Sequence, residues 1–281
     1  MHREGLVIRP AQRCDLSAIE RICQKTFAWG DYLPRAFLDL LEDDTGQMLV
    51  GQVKDEIVGL VRLSRLSSDE GWLEAMRIHP KWRRCGLAHQ LTCQARDALL
   101  SQGVSVVRLA IGRENRPSQQ LAAKNGFCPA FSLVEYTSRG GQGRVWPATC
   151  EDIPSLLSLV EQGSAWGEPV DRHRDILGYE WRWSQVRQDT LTGLVKREKI
   201  WTNGCSWAVI DCWPDHEELT VHTPYGSSSG IAHLVNGLYE RYQQPIRITL
   251  VRYLDREQQD PKLCWSDPEQ GDIIYEYWRE D

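Results

Sequence analysis

The sequence predicts an α/β protein of the α+β mixed-sheet kind, duplicated, with a degenerate second copy. Three observations lead there. Strand and helix periodicities alternate through the first half; the strand, turn and helix that open the chain begin again near residue 145; and a linker rich in glycine, Ser138-Arg139-Gly140-Gly141-Gln142-Gly143, lies between the halves. A length of 281 residues suits two domains, read as 1–138 and 144–281.

The first half is read in order by period. Leu6 to Pro10 is a short strand, and Asp15 to Ile22 opens a helix with apolar residues at 16, 19 and 22. Pro34 to Leu41 is a second helical stretch. Gly46 to Val53 and Ile57 to Leu63 alternate as a hairpin around Lys54-Asp55-Glu56. Trp72 to Ile78 is the next strand, ended by His79-Pro80. Gly86 to Leu100 then forms a long helix, Val104 to Ile111 a buried strand and Pro117 to Asn125 a helix, with two short strands expected between Phe127 and Thr137.

The repeat rests on three matches. Ile8 to Leu16 recurs at Val145 to Ile153, Gly86-Leu87-Ala88-His89 at Gly230-Ile231-Ala232-His233, and Val107 to Arg113 at Ile246 to Arg252. The halves differ in charge: residues 1–140 carry 19 Lys and Arg against 16 Asp and Glu, whereas residues 141–281 carry 14 against 23 and hold nine of the twelve Trp. A sequence pI near 5.7 argues against duplex nucleic acid as a partner.

No apolar run approaches the ~18 residues of a membrane span, and the N-terminal residues carry no apolar export segment, so a cytoplasmic protein is expected. The nine cysteines include no C-x-x-C pair, which disfavours both a disulfide framework and a metal site. Most are expected to be small apolar core residues.

The chemistry points to Arg83-Arg84-Cys85-Gly86-Leu87-Ala88, between a strand and a helix start. Unpaired N–H groups at a helix N-terminus, the helix dipole and two arginines make a pyrophosphate cradle, and glycine lets phosphate approach the backbone. An ordinary turn with exposed arginines is the alternative. The segment Arg83-x-x-Gly86-x-Ala88, with Asn115, Leu121 and Gly126-Phe127 further on, resembles the acyl-CoA loop and following helix of the GNAT superfamily of N-acetyltransferases over about residues 6–137. The resemblance implies a gap between two parallel strands, acetyl-CoA as co-substrate, pantetheine on the backbone of Met76, Arg77 and Ile78, and diphosphate on Arg83 to Ala88.

Acetyl transfer needs an amine without its proton and a base to take it. Glu74 is the candidate base; its alternative is a structural carboxylate paired with Arg77 or Arg62. Strict alternation puts Glu74, Met76 and Ile78 on one face and Leu73, Ala75 and Arg77 on the other, so a Glu74–Arg77 contact would need a bulge. The family's usual tyrosine acid is replaced by Ala122, leaving water, Tyr32 or Tyr136 to protonate the thiolate.

On the acceptor side, Trp29-Gly30-Asp31-Tyr32-Leu33-Pro34 forms an aromatic, acidic loop suited to a small ammonium compound, or else a helix-start turn with Tyr32 in the core. This loop and Leu73 to Pro80 resemble the histidine N-acetyltransferase-like branch. That resemblance implies an amino-acid acceptor, its ammonium on Asp31 and its carboxylate on Arg77.

In the second half Ser227 and Ser228 align with Arg83 and Arg84, and His173 reads as solvated surface. Two functions remain: an acetyltransferase acting on a small-molecule primary amine, with one cofactor site, or an inactive acyl-CoA-binding or sensor protein. The oligomeric state is not encoded in any motif.

Overall fold

The computed structural model describes residues 5–24, 26–27, 30–138, 141–161, 176–212, 217–253 and 272–279. His173 and Cys264 lie outside them, as does Trp29. Two compact units result, and neither is one continuous stretch: the first runs to Ala130 and takes in the chain's last strand from Ile273, and the second begins at Phe131.

In the first unit, β1 (Leu6–Pro10), β2 (Gly46–Val53), β3 (Glu56–Arg65) and β4 (Glu70–Ile78) follow one another as antiparallel neighbours. β5 (Val106–Gly112) joins β4 in parallel, across the helix α3 (Leu87–Ser101), and β14 (Asp272–Trp278) lies beyond β5. Helices α1 (Leu16–Cys23) and α2 (Leu33–Glu42) bury Ile19, Ile22, Leu33 and Phe37 with Met48, Val50 and Leu60 of the sheet. α3 covers the opposite face, where Leu99 approaches so closely that a Cβ on Gly71 would meet it at 2.7 Å. α4 (Arg116–Lys124) follows β5.

β14 is fixed by side chains. Arg108 of β5, 4% exposed, ion-pairs with Glu70 and with Glu276 at 2.6 Å, while Tyr277 packs on Phe127 and lies 4.6 Å beneath the Arg96 guanidinium. The two short strands expected between Phe127 and Thr137 are instead one, β6 (Cys128–Ser138). From Phe131 it pairs along its length with β13 (Ile246–Tyr253) in the second unit, and this long ladder leaves no place for a turn.

The second unit repeats the element order: β7 (Trp146–Pro147), α5 (Ile153–Glu161), α6 (Gln188–Lys196), β10 (Ile200–Thr202), β11 (Ser206–Cys212), β12 (Leu219–Gly226), α7 (Ser228–Tyr242) and β13. It adds a hairpin, β8 (Ile176–Tyr179) and β9 (Arg182–Gln185). In both units a single 3-10 turn with a reciprocal cap leads into the first helix, from Gln12 to Asp15 and from Thr149 to Asp152. β12 and β13 are parallel, as β4 and β5 are. The helix starts correspond as Gly86 and Ser227, so the Gly86/Gly230 sequence match is out of register: Gly230 lies inside α7.

The cysteines depart from expectation. Among the described residues all eight are free, Cys23 is buried and Cys93 half-buried, while Cys14, Cys85, Cys128, Cys150, Cys205 and Cys212 are exposed, because they sit at caps, loops and strand ends. No cluster that could hold a metal occurs among the described residues, and no described helix is long and apolar enough to cross a membrane.

Candidate active site

The site grows from an interrupted ladder. β4 and β5 pair only at Glu70↔Val106, Gly71↔Val107 and Trp72↔Arg108, although β4 runs on to Ile78 and β5 to Gly112. Beyond Trp72 the backbone of β4 therefore faces β5 without a partner strand, and this half of β4 is only partly buried at Glu74, Met76, Arg77 and Ile78.

A bulge breaks β4 at the same place. Glu74 sits opposite Arg62 and Arg77 opposite Leu60, so Ala75 and Met76 together face Val61, with Ala75 at φ +57°. The strict alternation expected from sequence fails here. Ala75 packs into the α1–α2 core, and Glu74 and Arg77 both reach partners on that side of the sheet. Composition and period give no sign of a bulge in Leu73-Glu74-Ala75-Met76-Arg77; it exists because β3 and β4 must keep register on either side of it.

Glu74 pairs with Arg62 and not with Arg77. Arg62 is fully buried; its Nε donates to Glu74 Oε1 at 3.0 Å, Nη2 to Asp43 Oδ2 at 2.5 Å and Nη1 to the Leu40 carbonyl at 2.8 Å. Arg77 turns to Asp31, with Nε to Oδ2 at 2.7 Å and Nη2 to Oδ1 at 3.2 Å, and its Nη1 donates to the Met76 carbonyl at 3.0 Å. Asp31 and Arg77, read from sequence as partners of an acceptor's two ends, are thus paired with each other. Burial alone would raise the Asp31 carboxyl, but Arg77, the Leu33 amide and Cys23 outweigh it and hold the group below the ordinary carboxylate value. Burial, followed by the Asp31 charge, pushes the neighbouring Cys23 thiol up to about 12. Phe27 and Tyr32 lie 5.0 and 6.0 Å from the Arg77 guanidinium, and Tyr32 is 49% exposed, so it is not a core residue.

The loop after β4 makes a short 3-10 turn, Pro80–Trp82, and then bends through two left-handed residues, Arg84 (φ +62°) and Gly86 (φ +83°). Arg83, Arg84, Cys85 and Gly86 are exposed, and the Arg83 Nε donates to the Ile78 carbonyl at 3.2 Å. The first α3 bond runs from the Gln90 N–H to the Gly86 carbonyl, so the N–H groups of Leu87, Ala88 and His89 precede the helical ladder. A Cβ on Gly86 would meet nothing within 4 Å, which leaves open space over this end of the helix. Exposed arginines, free helix-end donors and open space fit a pyrophosphate. Asn115 caps α4 by accepting from the Ser118 N–H at 3.3 Å, and Ala122 is buried in that helix without a hydroxyl. The side chain of Tyr136 lies outside the described residues.

Residues 16–127 match the model of the acetyltransferase (GNAT) family. This stretch is similar to the acetyltransferase (GNAT) domains that the model describes. Among solved structures the whole chain is similar to a candidate acetyltransferase of Thermoplasma acidophilum, at 14% identity and TM-score 0.63, covering 97% of this chain and 100% of that one. It is also similar to a GCN5-related N-acetyltransferase of Sphaerobacter thermophilus (11% identity, TM-score 0.62, coverage 99% and 97%) and one of Kribbella flavida (14%, 0.55, coverage 98% and 71%). At these identities the likeness carries the fold, which is that of the GNAT acyltransferases. No curated protein matches the sequence. The proteins of that family work with acetyl-CoA.

The second unit has the same framework with its openings filled. Residues 79–86 separate β4 from α3, whereas Ser227 alone separates β12 from α7, so the second unit has no loop of comparable length at this place. β12 is buried at every position and carries Pro224, which has no N–H, in its own bulge. Thr223, at φ +43°, corresponds to Ala75 and His222 to Glu74. His222 is fully buried, with Nε2 3.0 Å from Asp211 Oδ2, and the ring of buried Trp183 from the added hairpin lies 5.9 Å away, edge to face. Burial would raise Asp211, but His222, the Glu180 amide and Lys199 hold it low. Sequence matching missed His222 because the bulge and the lost loop shift the local offset.

Proposed function

We propose that the first unit transfers the acetyl group of acetyl-CoA to a primary amine of a small molecule. The observation that carries this reading is the β4–β5 ladder that stops at Trp72↔Arg108 while both strands continue, with the α3 N-terminus and Arg83 to Ala88 at that end. Acetyl-CoA supplies an acetyl group activated as a thioester. The stretch of β4 from Met76 to Ile78, where the ladder to β5 has ended, suits an extended pantetheine arm, and the loop Arg83-Arg84-Cys85-Gly86-Leu87-Ala88 its diphosphate. Glu74, partly exposed and held by Arg62, is placed to take the proton of the acceptor amine. With Ala122 at the family's acid position, water protonates the departing thiolate, whose pKa near ~8.5 makes that step undemanding.

In this reading the chain is a duplication of halves 1–138 and 144–281 whose last strands are exchanged, and the second copy has lost its cofactor site. The exposed free thiols suit a reducing, cytoplasmic setting. Asn115 keeps a capping role beside the cofactor. Ala122 favours a second reading, a CoA-binding protein without turnover. Thiol release from acetyl-CoA across a panel of primary amines separates the two: release that depends on an amine supports the enzyme, and tight CoA binding without release under every amine supports the second reading. Calorimetry is expected to return one CoA per chain, and two equivalent sites would refute the degenerate second copy.

A further inference from the structure

We infer that the second unit binds a primary ammonium ion at the row His222, Thr249 and Glu135, rimmed by Trp181 and Asp272. The inference does not depend on acetyl transfer in the first unit. All five residues belong to the second unit. The parallel ladder of β12 and β13 ends at His222↔Thr249, although β12 runs on to Gly226 and β13 to Tyr253. On its other side Thr249 stands opposite Glu135 of β6. Residues opposite each other in a sheet share a face, so an imidazole, a hydroxyl and a carboxyl line up across three strands. The surrounding groups close a ring. The Trp181 ring lies 6.2 Å from that of His222, its indole N–H is set toward the Asp272 carboxyl, and Asp272 and His222 both act electrostatically on Glu135. Trp181 is carried by the hairpin added to this unit, where Glu180 and Trp181 adopt left-handed backbone (φ +48° and +61°) and the Glu180 amide is tied to Asp211.

Two of these groups are buried without satisfaction. His222 and Thr249 are fully buried, and no hydrogen-bond partner for His222 Nδ1 or Thr249 Oγ1 occurs among the described residues. Buried polar atoms are nearly always bonded, so a pair left over at the end of a ladder marks a place for a further donor. Asp211, held ionised, faces His222 Nε2 at 3.0 Å, so Nε2 carries the ring proton and Nδ1 is an acceptor. Gly178 of β8 keeps that side of the ring clear, since a Cβ there would lie 3.1 Å from Nδ1. Glu135 and Asp272 are half-buried, and burial pushes both carboxyls above their ordinary value. At Glu135 this outweighs Arg247 and His222, and Asp272 and Glu218 add to it; at Asp272 it outweighs the Trp181 N–H. The nearby cations have partners: Arg247 pairs with Glu218 at 3.0 Å and Lys199 with Asp211 at 3.2 Å. A primary ammonium brings three N–H donors and one positive charge. It therefore suits an imidazole nitrogen, a hydroxyl and two carboxyls that burial keeps from ionising, and the half-exposed Trp181 ring suits a cation beside it.

Calorimetric titration of n-propylammonium chloride onto the full chain, without acetyl-CoA and with sodium chloride as the control, tests this. A binding site is expected that Glu74→Gln leaves unchanged and that Asp272→Asn and Glu135→Gln each weaken about 10- to 100-fold, the scale of one hydrogen bond to a charged group. Tetramethylammonium has no N–H to donate and is expected to bind at least ~10-fold more weakly. Thr249→Val removes a hydroxyl that has no partner in the free protein, so it is expected to keep the fold and weaken the ammonium. Wild-type titrations at mildly acidic pH, in two buffers of different ionisation enthalpy, are expected to show protons released on binding, because the ammonium favours the ionised carboxyls. No heat beyond the salt control, no proton release, or equal affinity for tetramethylammonium overturns the inference. A site lost in Glu74→Gln and kept in folded Asp272→Asn, Glu135→Gln and Thr249→Val proteins belongs to the first unit and also overturns it.

Discussion

Two substitutions around one guanidinium separate a catalytic Glu74 from a structural one. Arg62 is fully buried and divides its donors among Glu74, Asp43 and the Leu40 carbonyl. Glu74→Gln and Asp43→Asn each remove one negative charge from the same cation and leave the other in place. A hydrogen bond to a charged group contributes about 1.5–3 kcal/mol, so each variant is expected to lose stability in that range, and urea midpoints should fall by comparable amounts. Rates should differ. Glu74 lies on the half of β4 that no longer pairs with β5, whereas Asp43 ends α2, so Glu74→Gln is expected to lower kcat by ~10²–10⁴ and Asp43→Asn by less than ~10-fold. The Glu74→Gln rate should recover in part at alkaline pH, where the amine loses its proton unaided. Equal effects of the two variants on kcat, or a Glu74→Gln protein that loses stability and keeps its turnover, would refute the reasoning and leave Glu74 as a counterion to Arg62.

Gly86→Glu is expected to abolish CoA binding with an unchanged circular dichroism spectrum: the side chain enters open space but brings a negative charge to the phosphate loop, and the φ of +83° adds only about 1–2 kcal/mol of backbone cost. Native CoA affinity would remove this loop from the site. Asp31 is held below its ordinary value when folded, so its contribution to stability is present above the unfolded carboxylate pKa and is lost as pH falls through the folded one. Urea midpoints followed from about pH 5 to pH 3 should therefore drop more steeply for the wild type than for Asp31→Asn, and parallel curves would contradict this. Arg108→Met leaves Glu70 and Glu276 buried together without their cation and is expected to cost about 3–5 kcal/mol in urea unfolding; wild-type stability would show that the β14 ion pairs do not hold the first unit together.

Local chemistry determined much of this protein. The apolar spacing at Leu16, Ile19 and Ile22, the hairpin around Lys54-Asp55-Glu56 and the Gly86 turn each depend on residues close in sequence, and the observed elements lie within a few positions of those read from them. The GNAT pattern was legible for the same reason, since its loop and helix are contiguous. Tertiary structure decided what depends on partners far along the chain. The bulge that turns Glu74 and Arg77 to one side arises from the register of β3 against β4. The Asp31–Arg77 pair joins residues 46 positions apart, a contact that no local pattern records. β14 lies beside β5 through Arg108 and Glu276, 168 positions apart, so the first unit is completed by residues that the sequence alone placed in the second half. Periodicity records which face of an element is buried, but not which distant strand or counter-charge it meets there, and that choice set Glu74 beside Arg62.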